Sequence, residues 1–274
     1  MDRREDSIVK LGVIHYNTPG ATVEEFLDWV QATGFEYVEM MSRDVWPDES
    51  VDPGDEPEQV KAMLDARGLK ASALSAGNDF VLLEEEAIQA QVRRMQTICE
   101  LAQRIGTDTL RTEGGQPKDS VPQEQWAESM ADCLKRCLEF VEPMGIRLAV
   151  DNHGWVTNDG DVQLKMLELV GSPHVGANLD TMNYRWFGND LETIDRIYER
   201  VAPYVMHTHL KDGTGSRENY VGANLGSGEI NLKHAIDCCV NAGYDGVWCA
   251  EWEGRGDKGE GYAACLEWMK NNCP

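Results

Sequence analysis

The chain has 274 residues, with 48 acidic against 25 basic side chains and a formal charge of −23. A field of that sign repels phosphate backbones and anionic lipid, so neither nucleic acid nor a membrane surface is an expected partner. No apolar run reaches the roughly 18 residues that a membrane span needs, and a chain this long buries about three quarters of its surface without help from disulfides.

Short β-rich runs alternate with amphipathic stretches down the whole chain. The first is "VKLGVIHY" (9–16), followed by a helix over "TVEEFLDWVQATG". There Thr22 and Glu25 make a capping box, Val23, Phe26, Leu27 and Val30 one apolar face, and Gly34 a C-terminal cap. The next pair is "FEYVEMM" (35–41) and the helix 57–68. Then come "LKASALSAG" (69–77) with a helix near 83–105, and "TDTLRTEGG" (107–115) with a helix over 122–145. The second half runs "IRLAVDNHG" (146–154), "HVGANLDTMN" (174–183), "YVMHTHLKD" (204–212) and "YDGVWCAEWEG" (244–254). Helices are expected near 161–171, 190–201, 230–242 and 258–272. Several helices end in Gly followed at once by a strand, as in "ATGFEYV", "RIGTDTL" and "PMGIRLAV", which marks repeated βα units.

Eight such units in a chain of this length predict an α/β fold, a closed (β/α)8 TIM barrel, in one domain over 1–274. An open doubly wound sheet is the rival, but "GVIHYNTPG" lacks the Gly-rich phosphate turn expected after its first strand. The eight cysteines form no C-x-x-C pair and fall mostly in helical stretches, so they read as small buried hydrophobes in a reducing, cytoplasmic protein. "MDRREDSIVKLGV" has no apolar core of signal-peptide length.

In a barrel the chemistry gathers at the C-terminal ends of the strands. Strands five to eight end on Asp151, Asp180, His209 and Glu251. The first three follow one another at equal intervals. The last interval is longer because it carries the inserted loop "KDGTGSRENYVGANLGSGE". Three carboxylates and one imidazole from neighbouring strands can converge on a point. Such a hard, mixed donor set suits one divalent ion, Mn²⁺ first, with Mg²⁺, Co²⁺ or Zn²⁺ as alternatives. Four protein ligands leave two positions of an octahedron open for a carbonyl and an adjacent hydroxyl, the grip an α-hydroxy carbonyl compound would offer.

The segments "LAVDNHG", "VGANLDTMN", "HTHLKD", "LGSGEINLKHAIDCCVNAGYDG" and "VWCAEWEG" resemble the sugar isomerase/epimerase superfamily with the xylose isomerase-like TIM barrel, which is related to AP endonuclease family 2. The resemblance covers most of the second half; the first half matches in rhythm, through "FEYVEM". It implies metal ligands at Asp151, Asp180, His209 and Glu251. It also implies acid–base carboxylates at Asp151 and Glu251, working on the carbon next to a metal-bound carbonyl. The implied activity is isomerisation or epimerisation of a sugar, keto-sugar or cyclitol. A dehydratase or lyase on a keto-sugar or keto-glycoside uses the same first step. A metal-poor carbohydrate-binding protein and an AP-endonuclease-like nuclease are further alternatives. The chain departs from the family twice. The first ligand position is Asp151 rather than Glu, which shortens its reach by roughly 1.5 Å, so the ion shifts, a water fills the gap, or Asp151 does not ligate. Asn183 stands where the endonucleases, and some epimerases, carry a His.

Around these positions, His153 shares the strand side of Asp151 and is expected to bind substrate or donate a proton. Lys211 shares the side of His209 and could neutralise an enediolate; His207 lies deeper, as a support residue. His15, Glu39, Asn183 and Arg217 are the candidate contacts to substrate hydroxyls. Trp155 and Trp252, with Trp46 and Trp186, are candidates to line the mouth for a sugar ring. Arg111 and Glu113 are expected to pair with each other. The expected partner is a small sugar or polyol, and a homo-oligomer stays open.

Overall fold

The computed structural model describes residues 9–274. Eight parallel strands close into a barrel: β1 (Leu11–Ile14), β2 (Tyr37–Met41), β3 (Lys70–Ser75), β4 (Thr109–Glu113), β5 (Arg147–Asp151), β6 (Val175–Asp180), β7 (Val205–Leu210) and, after a hairpin, β10 (Trp248–Ala250). Closure joins the first strand to the last, with Leu11 opposite Trp248 and Val13 opposite Ala250. The predicted (β/α)8 TIM barrel is the observed fold, and each strand run falls inside the segment its sequence marked.

Helices α1 (Val23–Thr33), α3 (Glu56–Ala66), α4 (Glu85–Ile105), α5 (Trp126–Met144), α6 (Gly160–Val170), α8 (Leu191–Val201), α9 (Leu232–Asn241) and α10 (Lys258–Asn272) form the outer layer, with short helices α2 (Ser42–Val45) and α7 (Asn183–Phe187) in loops. The ends of α1 are as its sequence dictates. Thr22 Oγ1 accepts from the Glu25 amide at 3.2 Å, and Gly34 takes the left-handed φ of 98° that side chains avoid. The reciprocal half of the capping box differs: Glu25 Oε2 accepts from the Ala21 amide, one residue before the cap. α4 shows why the layer packs. Ile88, Met95, Ile98, Cys99, Ala102 and Ile105 recur at helical spacing and are all buried, while Glu85 and Glu86 face water at its first turn.

The apolar core therefore lies between barrel and helices, where outward strand residues such as Val38, Leu74, Leu110, Leu148, Val150 and Leu179 are buried. The barrel axis is different. Instead of the aliphatic layers usual in this fold, it holds Glu39, Arg111, Asp151, Asn178, Asp180, His207 and His209, all buried. The loop inserted after β7 is not irregular throughout. It contains an antiparallel hairpin, β8 (Asp212–Thr214) with β9 (Val221–Ala223). The Asp212 carboxylate ties the loop down by accepting from the amides of Gly213, Gly226, Gly228 and Ile230 at 2.8–3.2 Å. Among the described residues, no helix is long and apolar enough to cross a membrane.

Candidate metal centre

β7 carries the alternation that builds the centre. A strand sends every second side chain to the same face, so His207, His209 and, one step past its end, Lys211 all enter the barrel. The register sets Asp180 opposite His209 on one side and Cys249 opposite it on the other, which places Glu251 just above. The amide of Glu251 donates to the Leu210 carbonyl at 3.0 Å and holds that step.

Asp180, His209 and Glu251 offer ligand atoms that all lie within 4.8 Å of one another. Asp180 divides its two oxygens. Oδ1 accepts from the amides of Met182 and Asn183 at 2.8 and 2.9 Å, while the buried Oδ2 has no hydrogen-bond partner and faces the Lys211 ammonium as an ion pair at 2.8 Å. His209 is likewise divided. Nε2 lies 2.6 Å from Glu39 Oε2, whereas Nδ1 sits 3.0 Å from Glu251 Oε2 outside hydrogen-bond geometry. Glu39, acting as acceptor, holds the Nε2 proton, so a cation that displaced the Nδ1 proton would find a lone pair there. Lys211 Nζ donates to Glu251 Oε1 at 3.2 Å.

Electrostatics follow the burial. Burial raises the Asp180 carboxyl to about 7, with Glu251 and Asp151 adding to the rise against Lys211. Burial would also raise Glu251, but Lys211 and His209 hold it well below the usual carboxylate range. His209 is pushed the other way: burial opposes its charge, and Glu39 and Glu251 raise it well above the ordinary imidazole value. His207, by contrast, is lowered to about 4 by burial and stays neutral, with Nδ1–H donating to Asn178 Oδ1 at 2.9 Å.

These groups fit one divalent cation. Buried polar atoms are rarely left without a hydrogen bond, yet Asp180 Oδ2 and His209 Nδ1 meet only the charges of Lys211 and Glu251, at 2.8 and 3.0 Å, outside hydrogen-bond geometry. Around the centre, the four carboxylates Glu39, Asp151, Asp180 and Glu251, if all are ionised, outnumber the two buried permanent cations Arg111 and Lys211 by two charges. A divalent ion supplies that difference with His209 neutral.

The fourth expected ligand stands apart. Asp151 accepts from Arg111 Nη2 on Oδ2 and from Asn178 Nδ2 on Oδ1, so both oxygens are engaged. Burial works against its charge, but Arg111 and then His209 hold it below the ordinary carboxylate range. Arg111 does pair with Glu113, at 2.8 Å, and reaches Asp151 as well. His153 Nδ1 is 3.6 Å from Asp151 Oδ2 and the ring is exposed.

The other sequence candidates separate into mouth and interior. Arg217 lies 3.8 Å over the exposed Trp155 ring, and Trp155 meets Trp186 and Phe187 edge-on. These stand at the rim. Trp252 is buried instead: its Nε1 donates to Asn224 Oδ1 at 2.7 Å and its ring packs on Tyr262. Asn183 is buried and donates to the Asn152 carbonyl at 2.9 Å. His15 stacks on Phe26 and meets Asp44 at 2.9 Å. Glu39 is fully buried against His209 rather than facing the mouth.

Sequence reasoning passed over Asn152 and Asn178. Asn152 Nδ2 donates to the Asp180 carbonyl and its Oδ1 accepts from the Asp180 amide, at 2.9 and 2.8 Å, fixing the strand end that carries the ligand. The available signal for Asn178 was its place two residues before Asp180, on the same strand face.

The family model described as a xylose isomerase-like TIM barrel matches residues 27–272. Among solved structures, a xylose isomerase domain protein from Alicyclobacillus acidocaldarius is 18% identical over 96% of this chain and 97% of that one, with a TM-score of 0.74. An IolI protein solved with a zinc atom bound is 16% identical over 96% and 97%, TM-score 0.77. An L-ribulose 3-epimerase is 16% identical over 97% and 94%, TM-score 0.76. No curated protein matches the chain.

Proposed function

The chain belongs to the xylose isomerase-like TIM barrel family, and from that premise we propose that it is a divalent-metal-dependent enzyme that isomerises or epimerises a sugar, keto-sugar or cyclitol. The observation that carries this reading is the convergence of buried ligand atoms of Asp180, His209 and Glu251 within 4.8 Å of one another, two of them without a hydrogen-bond partner. Asp180 Oδ2, His209 Nδ1 and Glu251 would hold the ion. A bound divalent ion would act there as a Lewis acid on a substrate carbonyl.

The chain's own groups do the rest. Glu251 is held ionised by Lys211 and His209, so it is ready to take a proton from the carbon beside the carbonyl. The Lys211 ammonium, buried and flanked by Asp180, Glu251 and Glu253, stands ready to offset charge that develops on the substrate oxygen. Trp155 with Arg217 offers a flat, cation-backed face at the rim for a ring to lie on.

One observation favours the dehydratase or lyase reading as the second choice. Epimerisation uses a proton carrier on each face of the carbon, and Asp151 has both oxygens committed to Arg111 and Asn178. Glu251 alone suffices for abstraction followed by loss of a β substituent. Product analysis on a panel of ketoses, inososes and 3-keto-glycosides separates the two. An isomeric sugar that exchanges one carbon-bound hydrogen with deuterated water supports the first, and release of water or an aglycone supports the second. Turnover that persists unchanged in the chelated protein and in Asp180→Asn removes the metal reading altogether.

A further inference from the structure

We propose that Glu39, His209 and Cys249 form a second cation position, suited to a thiophilic divalent ion such as Zn²⁺, at the nitrogen of His209 that the first centre does not use. The three offer ligand atoms within 4.8 Å of one another, and none has any exposed surface. Glu39 Oε2 already lies at His209 Nε2, at 2.6 Å, and Glu39 Oε1 is buried with no hydrogen-bond partner among the described residues. Cys249 is the register partner of His209 and precedes Glu251 by two, so its thiol faces the same interior.

The chemistry of this set differs from that of its neighbour. Asp180 and Glu251 supply hard oxygen donors; Cys249 supplies sulfur, which selects zinc-like ions over Mg²⁺ and Mn²⁺. Binding would replace the thiol proton, released to solvent, by a metal–sulfur bond. The Glu39 carboxylate and the new thiolate then match the two positive charges of the ion among its own ligands. A neutral imidazole has one free lone pair, so His209 serves one position at a time. The two positions are alternatives, and the hardness of the ion decides which is filled. This rests on the donor set alone and on no reading of the reaction.

Cd²⁺ titration of the whole protein tests it, read by the ultraviolet thiolate-to-cadmium charge-transfer band. The band is expected to saturate in the wild type and in Asp180→Asn, and to vanish in Cys249→Ser and Cys249→Ala. Cys238, which lies 3.5 Å from His234 on α9, is the control, and Cys238→Ser should keep the band. Mn²⁺ affinity should be unchanged in the Cys249 variants, which also shows that they fold. Bound Cd²⁺ without the band, or a band that survives loss of Cys249, overturns the proposal.

Discussion

The ends of β5 and β6 are neighbouring strands of one barrel, and each finishes on an aspartate with no exposed surface. Asp151 has an arginine and an amide on its two oxygens and is held ionised. Asp180 has two backbone amides on one oxygen, nothing in hydrogen-bond geometry on the other, and a carboxyl raised to about 7. Residue type and strand position are the same; the neighbours differ. Asp151 has both oxygens hydrogen-bonded by the protein, whereas one Asp180 oxygen meets only the Lys211 ammonium, at 2.8 Å, and can be given to a cation.

The largest effect should come from removing that oxygen's charge. Asp180→Asn is expected to weaken divalent-ion binding by more than ~100-fold, beyond the loss typical of a group that only supports a ligand. Metal analysis after dialysis against Mn²⁺ reads it. Asp151→Asn should leave ion affinity nearly intact but cost roughly 3 kcal/mol of stability, because it strips the buried Arg111 of a charged partner. Urea unfolding measures this. If Asp151→Asn loses the ion as completely as Asp180→Asn, the contrast between the two strand ends breaks and Asp151 is a ligand.

Acidity gives the contrast a sign. In metal-free protein between pH 3.8 and about 7, folded Asp180 keeps a proton that the unfolded chain has released, so its contribution to stability falls as pH rises through that window. Asp151 works oppositely: its contribution is present above the unfolded value and is lost as pH falls through its lowered folded value. Asp180→Asn should therefore gain stability relative to the wild type as pH rises from 4 to 7, whereas Asp151→Asn should gain on it only as pH falls below 3.8, in both cases by a few kcal/mol of unfolding free energy at most. The smallest effect is expected at the rim. Arg217→Ala removes a stacking contact on exposed Trp155, worth ~0.5–1 kcal/mol. It should raise KM about two- to fivefold with kcat unchanged, and the metal content should not move.

Much of this was legible in the residues. Strand-terminal Asp180, His209 and Glu251 stand out because a run of alternating or apolar residues stops on a polar one, and the helix–Gly–strand rhythm counts out eight units. The burial of Glu39 and Trp252 was not legible, because sequence position gives the end of a strand but not the depth at which a side chain stops. The hairpin at 212–223 was hidden in a Gly-rich loop whose order depends on Asp212 binding amides up to 18 residues away.

The sequence by itself determined the order of elements, their caps and the inward alternation of each strand, since these depend on neighbours within a turn or two. Tertiary structure alone decided the partners. Arg111 meets Asp151 across 40 residues and Glu39 meets His209 across 170. Which carboxylate is satisfied and which is left open depends on how a closed barrel brings distant strand ends within reach, and on the cost of burying any charge that finds no counterpart there.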